Sequence, residues 1–239
     1  MSKIYCYECR RLLWNKFFGG LIVVLLCYGA LVLRGVTILG VSHTAPFSPW
    51  SFGDYLSRML PLLWIGALFF LSFFTSVKAR RTASLIDAAP MLPSHFAFVR
   101  CAATFTGTVI LALLCIVEAA VFYRQMFGWH DWSSMVFLAL VTLLPPLVFA
   151  LGSGWLLGRL GPWQLYIWML IPILLAVLPL PEILGLWNGS FFTAYPLTLE
   201  ELDPAFTLPG SIAIVQLLLL VVGVTMLVFG SKRRSICNH

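Results

Sequence analysis

Long apolar stretches alternate with short polar ones along most of the chain. A helix needs about 20 mostly apolar residues to cross the roughly 30 Å of hydrocarbon in a bilayer. The windows that meet this requirement are residues 17–40, 56–77, 97–123, 133–158, 163–181 and 209–230. The pattern therefore predicts an all-α integral membrane protein with six transmembrane helices, which form one domain over residues 1–239.

The segment before the first window, residues 1–16, is predicted to be an amphipathic helix rather than a span. On a helix its apolar residues share one face, which consists of Tyr5, Cys9, Leu12 and Leu13. Glu8 and Arg11 fall on the opposite face. Such a helix would lie along the inner membrane surface, with Trp14 at the interface. The alternative is a basic flank that only orients the first span.

The longest polar interruption on the predicted cytosolic side lies between the second and third windows and reads KARRTASLIDAAPMLPSHFAFVR, Lys78–Arg100. Pro90 disfavours helix at the residue before it, so a helix of about three turns is predicted to end at Ala89. Leu85 and Ile86 would give this helix an apolar knob, flanked by Thr82, Ser84 and Asp87. A knob of this kind suits a groove on another protein. The alternative is a plain connector between two spans.

The connection between the fifth and sixth windows, residues 181–208, mixes aromatic residues, turn residues and acids. Its apolar content predicts short re-entrant or outer-leaflet helices rather than a solvated loop. Their aromatic ring would consist of Trp187, Phe191, Phe192 and Tyr195.

Prolines and glycines within two windows predict local shape. Pro145, Pro146 and Pro172 each remove a backbone donor and predict bends or breaks in their helices. Gly154 and Gly158 form a GxxxG pattern, which allows another helix to approach closely.

Composition supports the membrane assignment and charge orients it. Of the 239 residues, 61% are hydrophobic and only 10% are charged, far from the roughly 25% charged residues of soluble domains. The net charge of +6 sits in short connections, so we expect membrane orientation and no nucleic acid partner. Twelve of the fifteen cations lie on one predicted side: Lys3, Arg10, Arg11, Lys16, Lys78, Arg80, Arg81, Arg100, Arg159, Lys232, Arg233 and Arg234. This asymmetry predicts that both termini are cytosolic.

Few ionisable residues interrupt the apolar windows. Glu118 and Arg34 are both predicted in the outer half of the membrane, where a charge is costly and rarely accidental. Glu118 either forms an ion pair with Arg34 or lines a water-filled cavity that touches substrate; catalysis is the weakest interpretation. The chain has no HExxH and no GxxxxGK[ST]. We therefore expect no enzyme activity and no cofactor in this chain, and any ATPase would be another protein.

The chain resembles the permease subunits of ABC-2 type ATP-binding cassette transporters. The resemblance rests on YECRRLLWNKFF before the first span, on the basic segment with its Leu92-Pro93-Ser94 step after the second, and on the six-span layout. In that family an acidic residue followed by basic ones marks the interfacial helix, as Glu8, Arg10 and Arg11 do here. The family often has Glu residues at the positions of Thr82–Leu85, and this chain departs from it there.

The resemblance implies a division of labour between subunits. Residues 78–97 would be a cytosolic coupling loop on an ATPase subunit that carries ATP and Mg²⁺, and a second permease copy or a homologous permease would complete the transporter. The expected coupling residues are Arg80, Arg81, Thr82, Ser84, Leu85, Ile86 and Asp87. The expected function is export of a hydrophobic or amphipathic substrate (a lipid, a peptide or a drug-like compound) across the bacterial cytoplasmic membrane. A non-transporting membrane scaffold or immunity protein is the alternative, and a membrane-embedded enzyme is a weaker one.

Overall fold

A computed structural model of the chain describes residues 2–75, 93–199 and 201–232. This part of the chain contains helices and no strand. The α-helices are α1 (Ser2–Leu13), α2 (Lys16–Gly35), α3 (Pro49–Thr75), α4 (Pro93–Phe127), α5 (Ser133–Leu160), α6 (Pro162–Val177), α7 (Gly185–Asn188), α8 (Ser190–Ala194) and α9 (Gly210–Lys232). Short 3-10 helices cover Thr37–Leu39, Glu182–Leu184 and Tyr195–Leu199.

Within the described residues, five segments are long and apolar enough to cross a membrane: Lys16–Leu39, Pro49–Thr75, Phe96–Phe127, Ser133–Leu160 and Gly210–Gly230. A sixth candidate is a bent pair, Pro162–Val177 with Glu182–Asn188, whose two parts meet at 120°. The architecture is therefore compatible with a multi-pass membrane protein of five or six spans, in agreement with the predicted fold class at this level.

Several of the predicted windows differ from the helices at their ends, and for two of them the physical reason is clear. The second was predicted to begin at residue 56, but α3 begins at Pro49. Its first turns contain the buried Asp54, whose charge is compensated by an ion pair with the partly exposed Arg58, so the helix begins before the window that hydropathy alone marks. The fifth was predicted to reach residue 181, but α6 ends at Val177 because Pro179 favours an extended backbone at Leu178, whose ψ is 142°.

The helices α5 and α6 continue through their internal prolines, so the predicted breaks are absent. A helix keeps its course past a proline when packing on neighbouring helices compensates for the lost hydrogen bond. Pro145, Pro146 and Pro172 are all buried against neighbouring elements.

The core of the bundle is α3, which packs against α2, α4, α5 and α6. Large side chains along its whole length are fully buried, including Trp50, Tyr55, Trp64 and Phe70. The predicted close approach at the GxxxG pattern is confirmed, because a Cβ at Gly158 would lie 2.7 Å from Thr75 Cγ2 of α3.

The connections of the bundle lie at two ends. At one end the backbone N–H of Ala45 donates to Asp203 Oδ1 at 3.2 Å and Phe47 stacks on Trp129 with ring centroids 4.7 Å apart. The first, third and fifth connections therefore meet there. At the other end α1 packs on α4, where Leu12 lies against Gly107. The assignment of this second end to the cytosol remains a prediction from the Lys and Arg positions.

The connection between α6 and α9 folds into short helices, as predicted, and these close one end of the bundle. Three of the four predicted aromatic residues are buried, namely Trp187, Phe191 and Phe192. Trp50 of α3 anchors the connection by donating from Nε1 to the carbonyl oxygen of Pro204 at 2.8 Å. Its ring also packs on Phe191 at 5.7 Å.

Candidate functional site

The N-terminal helix α1 packs against the first half of α4 rather than standing apart from the bundle. The hydroxyls of Tyr5 and Thr106 are hydrogen bonded at 2.6 Å. About one turn after Tyr5 in α1, the carboxylate of Glu8 is buried, with 3% of the residue's surface exposed. The contact therefore combines apolar packing with a buried charge.

The prediction that Glu8 faces away from the apolar side of α1 is wrong. Its Oε1 lies 3.7 Å from Nε of Arg100, and its Oε2 lies 3.7 Å from Nη1 of Arg11. The Arg100 guanidinium also sits over the ring of Phe96, 4.1 Å from its centroid, a favourable cation–π geometry. Glu8 thus belongs to the buried face because a cation from a distant part of the chain neutralises it.

The side of α1 that faces away from α4, and the residue directly after this helix, are exposed. The side chain of Arg11 is about half exposed and Trp14 is 87% exposed. A Trp beside cations is typical of residues at the membrane–water interface. The position of this helix on a membrane surface stays a prediction.

The proposed coupling residues, Arg80, Arg81, Thr82, Ser84, Leu85, Ile86 and Asp87, lie outside the described residues. The described chain resumes at Pro93, the first residue of α4. Arg100 follows two turns later, so the Glu8 ion pair lies close in sequence to the predicted coupling loop.

Glu118 of α4 lies against α2, but it does not pair with Arg34. Its Oε2 accepts a hydrogen bond from the Tyr55 hydroxyl at 3.4 Å, and its carboxylate fits against the bare backbone of Gly29. Arg34 is exposed, and no ion pair joins it to Glu118 in the part of the chain described. The predicted ion pair is therefore absent, and Gly29 makes the room that Glu118 needs.

Sequence reasoning missed an ion pair in α3 between a buried carboxylate and a partly exposed cation. Asp54 is almost fully buried, and its Oδ2 accepts from Nε of Arg58 at 2.8 Å. The predicted second window begins at residue 56, so Asp54 falls before it and Arg58 lies within its first turn. The signal was available in their i, i+4 spacing, which places both side chains on one helical face.

Metal chemistry has no evident site in the described ranges, where no group of His, Cys, Asp and Glu is suitably arranged. The cysteines described there, Cys6, Cys9, Cys27, Cys101 and Cys115, are free thiols.

Comparison of the chain with models of protein families, with curated proteins and with solved structures found no match.

Proposed function

We propose that the protein is the permease subunit of an ABC-2 type transporter that exports a hydrophobic or amphipathic substrate. The observation that supports this proposal best is the buried contact between Glu8 and Arg100. It joins the predicted interfacial helix to the helix that follows the predicted coupling loop. An ATPase that moved this loop would also move α1 and α4 together.

The proposed mechanism follows from this connection. Closure of two ATPase subunits around ATP and Mg²⁺ would draw the coupling loops of two permease subunits together and rearrange their interface. Only tighter binding of the ATPases to one of the two states can drive the change. The permease chain itself would carry no nucleotide and perform no hydrolysis.

The substrate class is proposed from the surface of the spans. The outward side of α9 exposes apolar side chains along its length, including Leu217, Val221 and Val228. A path between two such subunits offers contact to apolar groups and little fixed charge. We therefore favour a lipid, a hydrophobic peptide or a drug-like compound, with the bacterial cytoplasmic membrane as the location.

Co-purification tests the proposal. The tagged full-length chain, extracted from its host membranes in mild detergent, should bring down an ATP-binding cassette ATPase and show ATP hydrolysis. The double substitution Leu85→Asp and Ile86→Asp should abolish this association, because a charged surface cannot fill an apolar groove. Leu202→Asp is the matched control, since Leu202 is 88% exposed at the opposite end of the bundle.

The outcomes are distinct. Wild-type protein that is folded yet brings down no ATPase contradicts the transporter proposal. An association that survives the double substitution leaves the transporter proposal standing and places the docking surface elsewhere.

A further inference from the structure

A groove runs along the outer surface of α4 near its last turn, with a volume of about 460 Å³. Its wall is formed by apolar residues, two basic residues and one tryptophan: Val117, Ala120, Val121, Arg124, His130 and Trp132. We propose that this groove binds one phospholipid with an anionic head group, such as phosphatidylglycerol. The proposal concerns this chain alone and does not depend on the transport function.

The part of the groove formed by Val117, Ala120 and Val121 fits an acyl chain. Val117 and Val121 are spaced i, i+4 on α4 and both are substantially exposed. Ala120 lies beside them and its small side chain leaves the groove open. From Val117 to Arg124 the helix rises roughly 10 Å. A hydrocarbon chain can therefore lie along this wall while its head group reaches the arginine.

The part of the groove at the last turn of α4 carries a cation that is available to a ligand. Arg124 lies in the last turn of α4, is exposed, and has no ion-pair partner among the residues that the structure describes. Its planar guanidinium can donate two parallel hydrogen bonds to one phosphate group. A lipid with a net negative charge gains more from this contact than a zwitterionic one.

Asp131, in the connection that follows α4, makes its hydrogen bonds to another residue and does not pair with Arg124. Oδ1 of Asp131 accepts from the backbone N–H of Ser133 at 3.1 Å and from its hydroxyl at 2.7 Å. These hydrogen bonds lower the pKa of Asp131 below its usual value, so the carboxylate is ionised at neutral pH. Its charge is directed to the start of α5 rather than to Arg124.

Hydrogen bonds and ring stacking hold the rim of the groove. Nδ1 of His130 lies 3.0 Å from the carbonyl oxygen of Trp129, and Trp129 Nε1 donates to the carbonyl oxygen of Asp131 at 2.8 Å. Trp132 stacks on Tyr123 with centroids 6.1 Å apart. Tryptophan is enriched at the level of lipid head groups. We therefore expect the aromatic rim and the cation to lie at the depth of the lipid head groups.

Native mass spectrometry of the full-length chain tests the site. The protein, stripped of lipid in mild detergent, is incubated with equal amounts of phosphatidylglycerol and phosphatidylcholine, and the bound ratio is measured. Wild-type protein should retain phosphatidylglycerol in preference. Arg124→Gln should lower the bound ratio about fivefold, the factor that corresponds to roughly 1 kcal/mol for one cation at a lipid surface.

Two further variants complete the test. Arg34→Gln is the matched control, because Arg34 is also exposed near the same end of the bundle but is not part of the groove; its ratio should equal that of wild type. Val121→Trp should fill the groove and reduce binding of both lipids while leaving Arg124 in place.

Three results would overturn the proposal. Wild-type protein that shows no preference for phosphatidylglycerol excludes an anionic site. An equal loss in Arg124→Gln and Arg34→Gln would mean that total charge, and not the groove, selects the lipid. Unchanged lipid binding in Val121→Trp would place the lipid elsewhere, and this test holds even if Arg124→Gln is not recovered as folded protein.

Discussion

At the scale of single residues, Glu8 is the least expected feature of the molecule. Moving a carboxylate out of water costs several kcal/mol unless a cation compensates for it. Glu8 lies 3.7 Å from guanidinium nitrogens of both Arg11 and Arg100. A helix that only rested on a membrane surface would have no need of such a burial, so the charge serves the contact between α1 and α4.

Removal of this charge is therefore expected to weaken the fold. In Glu8→Gln the buried ion pair with Arg100 is broken, and breaking a buried pair typically costs about 3–5 kcal/mol. We expect the lower end of this range, because the two groups are separated by 3.7 Å. Equilibrium unfolding of the detergent-solubilised chain, followed by tryptophan fluorescence, measures the change.

The matched control for this prediction is Arg11→Gln. The Arg11 side chain is about half exposed, and exposed ion pairs contribute about 0–1 kcal/mol. A loss of stability in Arg11→Gln as large as that in Glu8→Gln would contradict the assigned role of Arg100.

The position of Glu8 could not be predicted from local periodicity. A helical pattern separates apolar from charged positions on the assumption that the buried side meets only apolar groups. Arg100 supplies the exception, and it is far from Glu8 in the chain. The same limit applies to Glu118, whose carboxylate fits against Gly29 because a glycine in α2 leaves room that no pattern in α4 reveals.

At the scale of elements, α5 and α9 meet through backbone atoms. A Cβ at Gly223 of α9 would lie 2.7 Å from the backbone nitrogen of Phe149. Gly152 of α5 lies against the backbone of Gly223 in turn. Small residues at such a contact let two helices approach closely, and dispersion between the backbones then stabilises the pair.

Gly223→Ala is expected to push these two helices apart. The added methyl group meets backbone atoms, which cannot rotate away as a side chain can, and overpacking of this kind costs about 1–3 kcal/mol. Thermal unfolding of the purified chain measures the effect.

Gly210→Ala, in the same helix, is the control, because no atom lies within 4 Å of its added Cβ. It should cost nothing. Equal stability of Gly223→Ala and wild type would show that α5 and α9 are not in backbone contact.

The helices themselves were largely predictable and their ends were not. An apolar window of about 20 residues identifies a span because lipid imposes that length. The ends depend on short-range effects that hydropathy averages away, such as Pro179 after α6 and the Asp54–Arg58 pair at the start of α3. The short helices between α6 and α9 could be predicted as a type, but their packing around Trp50 depends on a residue from another span.

At the scale of the whole molecule, the proposed lipid groove and the buried Glu8 lie toward opposite ends of the bundle. The lipid groove lies at the end where the first, third and fifth connections meet. The buried Glu8 lies toward the opposite end, where α1 packs on α4. The predicted contact with an ATPase and the proposed lipid site are thus expected at opposite ends of the bundle, and neither should interfere with the other.

Labelling with a membrane-impermeant thiol reagent tests this separation. Single cysteines are introduced into a variant whose six cysteines are replaced by alanine. The substitutions His43→Cys, His130→Cys and Leu202→Cys probe the three connections at one end, and all three side chains are exposed. They should react in intact cells. Ser2→Cys and Leu160→Cys, also exposed, should react only after the membrane is permeabilised.

The pattern of labelling separates two failures. If all five sites exchange sides, the bundle is correct and the orientation inferred from Lys and Arg is wrong. If sites of the first three divide between the two sides, the bent pair formed by α6 and the segment Glu182–Asn188 does not act as one crossing. Because Thr193 accepts a hydrogen bond from Ser42, the fifth connection is tied to the first, and a shared side for His43→Cys and Leu202→Cys is the outcome that the packing requires.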